Sequence, residues 1–322
     1  MRRAVALLVA ALYLPAFAQG YTERAEVQAF IADMVARHGF LEEELKGVFS
    51  RVERAEPALE LIQSAAQRPP WAEYRARFVN EKRIGAGLAF WSAHRKDLAR
   101  AERQYGVPPE IIVGVIGVET YYGRHAGRYR VMDALTTLAF DYPARADFFR
   151  GELEQYLLLA RDSGTDVFSV KGSYAGAIGI PQFMPGSTRR YAVDFDGDGA
   201  IDLRASPADA IGSVANFLRQ HGWQSGAAVQ LRARAAGEGW RAYADGGLAP
   251  VHGIAELMKS GVEPDAPPEP SAQRAALIDL GSELRLGLQN FYVITRYNRS
   301  AYYAAAVADL AEALKARQSA GR

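Results

Sequence analysis

The run Ile111-Ile-Val-Gly-Val-Ile-Gly-Val-Glu-Thr-Tyr-Tyr-Gly123 constrains this chain more than any other stretch, because it places a single carboxylic acid, Glu119, at the end of an otherwise apolar segment. Pro108 and Pro109 stand just ahead of it. A proline suits the first turn of a helix, where its missing N–H costs nothing. Ile111, Val115 and Glu119 are spaced four apart, with Ile112 and Ile116 beside them. A helix over this run therefore puts Glu119 on the stripe that faces a core. A carboxyl group there loses hydration, and its pKa rises towards that of a working general acid. The same residues also admit a solvated glutamate in a last helical turn, the commoner place for that residue.

A second segment, Lys171-Gly-Ser-Tyr-Ala-Gly-Ala-Ile-Gly-Ile-Pro-Gln-Phe-Met-Pro-Gly186, is rich in small residues. A phosphate-cradling loop would need Gly-Lys-Ser/Thr after its glycines, and a dinucleotide fingerprint needs G-x-G-x-x-G after a strand. Neither is present. Gly172, Gly176 and Gly179 are expected to let backbone approach a bulky ligand. Ser173, Tyr174 and Gln182 offer neutral hydrogen-bonding groups, and Phe183 and Met184 offer apolar surface, a mixture suited to a sugar bearing an acetamido group. Read without its neighbours, the stretch is also compatible with a plain Gly-rich loop.

A third motif is Asp194-Phe-Asp-Gly-Asp-Gly-Ala-Ile-Asp202. Acidic residues at loop positions one, three, five and nine, with Gly at six and Ile at eight, match the opening of an EF-hand calcium loop. Asp194, Asp196 and Asp198 would supply carboxylates, and Ala200 a backbone carbonyl. Position twelve is Ala205, where a standard loop has a bidentate Glu. An Asp-Gly turn without metal is the alternative.

The N-terminus reads as an export signal: basic Met1-Arg2-Arg3, an apolar stretch from Ala4 to Phe17, and a small-x-small cleavage site at Ala16-Phe17-Ala18. A retained membrane anchor is not expected, since the stretch is short and Pro15 breaks it. The chain has no cysteine, so neither a disulfide nor a lipidated N-terminal Cys is available to it. Its net charge of +1, from 38 Lys and Arg against 37 Asp and Glu, gives no electrostatic argument for nucleic acid or an anionic membrane as partner.

The 322 residues, 49% hydrophobic, suffice for more than one domain. Helical spacing dominates from Tyr21 to about Arg103, where Val27, Phe30, Ile31 and Met34 share a face and Leu41 to Val52 repeats the pattern. After Trp223 the texture changes. Val229 to Ala235 alternates as a half-buried strand does, and Leu277 to Leu280 and Phe291 to Tyr297 look extended. A final helix is expected from about Ala301 to Arg317, and there is no internal repeat.

The first two segments, with Asp133-Ala-Leu-Thr-Thr-Leu-Ala-Phe-Asp-Tyr-Pro143 between them and Asp209-Ala-Ile-Gly-Ser-Val-Ala-Asn-Phe-Leu218 after them, resemble those of the B-type lytic murein transglycosylases. The similarity runs from about Tyr21 to the C-terminus. It implies a mainly α fold with a small β domain (α+β), a lysozyme-like catalytic core flanked by a helical domain and a small antiparallel β domain. The implied division is a signal peptide at 1–18, a helical domain at 19–106, and a catalytic core at 107–223 carrying the EF-hand-like loop 194–209. A β-rich domain at 224–285 and a return to the core at 286–322 complete it.

The resemblance also implies an activity: cleavage of the β-1,4 bond between N-acetylmuramic acid and N-acetylglucosamine in peptidoglycan, leaving a 1,6-anhydromuramic end. Glu119 is then the catalytic residue, acting as acid and afterwards as base. Asp133, read as a helix N-cap, and Asp141 are left structural. Ser173 and Gln182 would hold the muramoyl ring and its acetamido group, and Phe183 would pack against a sugar. Tyr297, Asn298 and Tyr303 would flank Glu119, while Tyr74 and Arg145 would line the cleft, Arg145 offering a cation to a carboxylate. In this family a later acid closes the longer metal loop, which points to Asp209 as a further ligand of a structural Ca2+, a role Na+ would also fill. The chain departs from relatives in having Ala144-Arg145 where two arginines are common, and Phe217 where some have Tyr. A soluble periplasmic monomer acting on glycan strands is expected, its protein partners unspecified. A muramidase hydrolysing the same bond, or a peptidoglycan-binding protein that keeps the fold without catalysis, are the alternatives.

Overall fold

The computed structural model describes residues 20–64, 69–269 and 273–320. The export signal expected at 1–18 lies outside them. The chain divides into two units, one ending at Arg54 and one beginning at Ala55. In the first, the helix Ala25–His38 buries Val27, Phe30, Ile31 and Met34, the face its spacing requires. Gly39, at φ 68°, ends it in the left-handed conformation that a residue without a β-carbon adopts freely. The helix Glu42–Ser50 buries Leu45 and Phe49, and Phe49 meets Phe30 edge-on with ring centroids 6.0 Å apart.

The second unit is mainly helical and carries one larger antiparallel sheet. Its centre is the crossing of two helices, Pro109–Thr120 and Ala301–Ala320. Pro109 opens the first at its first helical position, as the sequence requires. The crossing is close because the facing residues are small. A β-carbon on Gly114 would lie 3.1 Å from the Val307 carbonyl oxygen, and Ala304, Ala305, Ala308 and Ala311 are all buried. The helices Trp71–Phe78, Glu81–Ala93, Arg95–Tyr105 and Pro207–Gln220 pack around this pair.

The sheet runs in the order His252–Gly253, Arg274–Asp279, Leu284–Gly287, Gln230–Ala235, Val262–Pro264. Leu277 and Leu231 both register on Leu286. Leu277, Leu286, Leu257 and Val262 form a small core of their own. The run from Val229 becomes the strand Gln230–Ala235, although it buries Gln230 and Ala233 and not every second residue.

Two expectations fail. The stretch Phe291 to Tyr297, extended on its residues alone and left open to a helix by the family resemblance, is the helix Gln289–Tyr297. Phe291, Val293, Ile294 and Thr295 are all buried there, so tertiary packing overrides the β preference of those residues. Asp133 is not an N-cap either. Arg130 takes that place, and Asp133 sits at the third helical position of Val131–Asp141, ion-paired with Arg130. No helix among the described residues is long and apolar enough to cross a membrane.

A buried ion network locks the sheet to the helices. Arg285 and Asp309 have fully buried side chains and are bonded twice, Nη1 to Oδ1 at 2.6 Å and Nη2 to Oδ2 at 3.0 Å. Arg75 adds its Nε at 2.5 Å from Asp309 Oδ2, and Glu283 accepts from Arg285 at 2.5 Å and from the Trp71 indole. Burial pushes the Asp309 carboxyl up, but Arg285 and Arg75 more than offset this and hold it below its ordinary range. Removing one partner strands the other charge in the interior. Asp309→Ala is therefore expected to cost about 3–5 kcal/mol in urea unfolding, and Arg285→Met with Asp309→Leu to recover most of it. An Asp309→Ala protein as stable as its parent would contradict the network's role.

Candidate active site

Glu119 lies in the last turn of the helix Pro109–Thr120, partly buried beneath an aromatic cluster. Burial pushes its carboxyl from 4.5 up to about 7, and a hydrogen bond from Tyr303 pulls the other way. That bond runs from the Tyr303 hydroxyl to Glu119 Oε1 at 2.6 Å. Tyr303 is 2% exposed, and burial, then the charge of Glu119, raise its phenol well above the usual 10. It therefore stays a hydrogen donor at any working pH. Tyr297 stacks on Tyr303, centroids 6.3 Å apart and planes at 15°, and donates its own hydroxyl to the Pro181 carbonyl at 2.5 Å.

The backbone after the acid is strained. Tyr121 (φ 52°), Tyr122 (φ 61°) and Gln182 (φ 51°) are the only non-glycine residues with left-handed backbone among the described residues, and all three border this site. Each such residue costs on the order of 1 kcal/mol and persists only where its surroundings dictate it. Here Thr120 does much of the holding: its hydroxyl donates to the Ile180 carbonyl at 2.8 Å and accepts the Gly123 N–H at 2.9 Å. The Tyr122 ring fills the space left by two glycines. A β-carbon on Gly87 would lie 2.4 Å from its hydroxyl oxygen, and one on Gly117 2.7 Å. Arg83 donates to the Gly117 carbonyl and covers the Tyr121 face at 4.8 Å. Sequence reasoning missed Thr120, Tyr122, Gly87 and Arg83. The one signal available was Gly117, a costly residue inside a helix.

The Gly-rich segment folds against this turn. The Gln182 side-chain nitrogen donates to the carbonyls of Ala126 (3.0 Å) and Gly179 (2.8 Å), which ties its loop to the chain beyond Glu119. The Ser173 hydroxyl accepts from the Ala175 and Ala177 N–H groups at 3.2 and 3.0 Å and so shapes its own turn. A β-carbon on Gly172 would lie 2.2 Å from the Ala177 carbonyl oxygen, and one on Gly179 2.3 Å from that of Leu203. Both let the chain approach its own backbone closely.

The remaining expected residues fall at different distances from the acid. Tyr74 belongs to a cluster with Trp71, Phe78 and Tyr302, centroids 5.1–6.2 Å apart, and its charge state is felt by Tyr303. Phe183 is a correction. At 2% exposure it is buried against Phe217 and Tyr297, both at 5.6 Å, and so supports the tyrosine from below without offering a face to sugar. Phe217 sits 4.8 Å from Tyr297. Asn298 is exposed just past the helix that carries Tyr297. Arg145 is exposed and lies over Phe148 at 4.3 Å. The structure shows no contact of either with Glu119.

In the loop after Tyr191, Asp194, Asp196 and Asp209 bring carboxylate oxygens within 4.8 Å of one another. Asp209 is buried, its Oδ1 accepting the Phe195 N–H at 2.7 Å and its Oδ2 the Asp202 N–H at 2.8 Å. Hydrogen bonds from backbone N–H groups, that of Gly199 foremost, hold Asp194 below its ordinary range. Such a set of hard carboxylate oxygens fits a hard divalent cation. Asp198 is not in the group; its Oδ1 accepts the Ala200 N–H at 2.9 Å.

Residues 22–312 match the family model described as Transglycosylase SLT domain. The chain is 43% identical over 308 residues to the membrane-bound lytic murein transglycosylase B of Escherichia coli, covering 91% of this chain and 84% of that protein. The chain belongs to the B-type lytic transglycosylase family. Its fold matches the soluble lytic transglycosylase SltB1 of Pseudomonas aeruginosa with TM-score 0.84 at 48% identity, covering 91% of this chain and 99% of that one. The E. coli lytic transglycosylase Slt35, in a structure with calcium, matches at 0.81 and 44% identity, covering 91% and 93%. The mainly α fold with a small antiparallel sheet and a lysozyme-like core is thus the family's own.

In this family member the acid's pKa has a consequence for stability. The folded chain binds the Glu119 proton more tightly than an unfolded one, whose ordinary value is 4.5. Stability is then unimpaired below that value and falls as pH rises towards about 7, where the buried group is forced to ionise. Glu119→Gln removes the titration. Relative to its parent it should gain nothing near pH 4 and about 3 kcal/mol by pH 8 in urea unfolding. A difference independent of pH would contradict the burial.

Proposed function

We propose that this chain is a peptidoglycan lytic transglycosylase, cleaving the bond between N-acetylmuramic acid and N-acetylglucosamine with formation of a 1,6-anhydromuramic end. One observation carries the residue assignment: an acid raised to about 7 by burial, bonded to a phenol that cannot ionise. Glu119, protonated, gives its proton to the glycosidic oxygen. The substrate's own acetamido oxygen steadies the anomeric carbon, in place of the second carboxylate used by most glycosidases. Glu119, now ionised, takes the proton from the C6 hydroxyl as that oxygen closes the anhydro ring, so no water is consumed. A pKa near working pH lets one group do both tasks. Ser173 and Gln182 hold the muramoyl ring, and Tyr297, Asn298, Tyr74 and Arg145 line the rest of the cleft. The substrate's location makes the periplasm the place of action.

Mass spectrometry of fragments released from sacculi tests this. The parent should release products one water lighter than hydrolysis gives, and Glu119→Gln should slow release by at least about 100-fold. Reducing-end muramic acid would make the protein a muramidase. Tyr303→Phe removes the bond that lowers the pKa of Glu119. Its pH–rate profile should keep activity to higher pH than the parent's, and an unmoved alkaline limb would contradict the role of Tyr303.

We propose further that Asp194, Asp196 and Asp209 bind a structural Ca2+, and that Asp198, outside that trio, turns to it and completes the shell with the Ala200 carbonyl. It would neutralise the clustered carboxylates and brace the loop, with no part in the bond cleavage. Calcium at 100 times its Kd should stabilise the fold by about 2.7 kcal/mol. Asp194→Asn with Asp196→Asn should abolish that gain, and an equal gain in the variant would count against the site.

A further inference from the structure

The segment that follows the acid, Thr120 to Met132, contains no acidic residue and carries Arg124, His125, Arg128 and Arg130, in a chain whose net charge is only +1 in all. Arg130 is paired with Asp133. Arg124, Arg128 and, across the short antiparallel pair, Lys171 are exposed, and none has a carboxylate within ion-pair reach among the described residues. Arg124 and Arg128 contact aromatic rings instead, and Arg128 also donates to the Tyr129 hydroxyl at 3.4 Å. Arg124 lies over the Tyr121 ring at 5.0 Å, His125 stacks on the same ring at 5.9 Å, and Arg128 lies 5.4 Å from the Tyr129 ring.

These cations are fixed to the site. The His125 N–H bonds the Thr120 carbonyl at 2.9 Å, next to Glu119. The Ala126 carbonyl takes the Gln182 amide at 3.0 Å. Tyr129 pairs with Gly172, and Arg130 with Lys171, so the strip shares a ladder with the residue before Ser173. A β-carbon on Gly127 would lie 2.0 Å from the Gly172 carbonyl, so the two segments touch backbone to backbone.

Two arginines resting on aromatic faces and an exposed lysine beside them, none paired with a carboxylate among the described residues, suit a ligand that brings several carboxylates with it. We propose that Arg124, Arg128 and Lys171 form a docking strip for the carboxylates of the peptide branch carried by the muramoyl sugar, so that the chain selects peptide-bearing over bare glycan strands. This rests on the transglycosylase reading and names a preference within it. An anionic membrane surface is the competing occupant. The strip's continuity with Gln182 and Ser173 favours the substrate.

The test compares the parent with Arg124→Gln/Arg128→Gln/Lys171→Gln on two substrates, glycan strands with their peptides and strands stripped by an amidase. The three positions are exposed, and circular dichroism checks that the fold is kept. The triple variant should lose about tenfold in kcat/KM on peptide-bearing strands, through KM, and nothing on stripped ones. The parent's preference for peptide-bearing strands should shrink as salt rises. Equal losses on both substrates, or no loss on either, would overturn the strip. If the parent cleaves neither substrate, the activity reading has failed and binding decides. Co-sedimentation of the Glu119→Gln protein with intact sacculi should then weaken on adding the triple change, whereas retention by phosphatidylglycerol vesicles with no preference for peptide-bearing sacculi would overturn the proposal.

Discussion

Everything in the catalytic unit answers to one constraint, a carboxylic acid held away from water against a buried phenol. Glu119 can be placed so only because two helices cross almost backbone to backbone at Gly114 and Val307. The second of them brings Tyr303 to the acid's oxygen. Burial alone would push the proton affinity of Glu119 higher still, and the Tyr303 bond trims it back to about 7. The geometry and the chemistry are therefore set by the same crossing.

The strained turn at Tyr121 and Tyr122 follows from that arrangement. The helix must stop immediately after the acid if Gln182 and its loop are to approach, yet no glycine stands where a left-handed cap is needed. Tyr121 takes the cap conformation and Tyr122 continues it, its ring filling the room that Gly87 and Gly117 leave. The Arg285–Asp309 pair works from the far side, tying the small sheet to the helix that carries Tyr303. Loosening it would be felt at the acid through the position of that helix.

Much of this was legible in the chain. Pro109 and the four-residue spacing from Ile111 to Glu119 announce the buried acid, because helix periodicity is a strong local signal. The Asp194–Asp202 spacing announces Asp194 and Asp196 through its loop pattern, whereas Asp209 was reached only through the resemblance. What stayed hidden depends on neighbours distant in sequence. Phe291 to Tyr297 has β-favouring residues, and only the core around it makes it a helix. Phe183 reads as a sugar platform until Phe217 and Tyr297 cover it. Arg285, on a strand between two leucines, reads as solvent-facing, and Asp309, 24 residues on, gives no local sign that it will be its partner. The glycines of the second segment were legible as close-approach positions, but what they approach is set by tertiary structure.

The most direct measurement is the titration of Glu119 itself, followed through its side-chain carboxyl by 13C NMR against the Glu119→Gln spectrum as the assignment control. A midpoint near 7 in the folded protein would establish the buried, proton-sharing acid on which the account depends. A midpoint near the ordinary 4.5 would contradict it, since an acid already ionised at working pH has no proton to give the glycosidic oxygen.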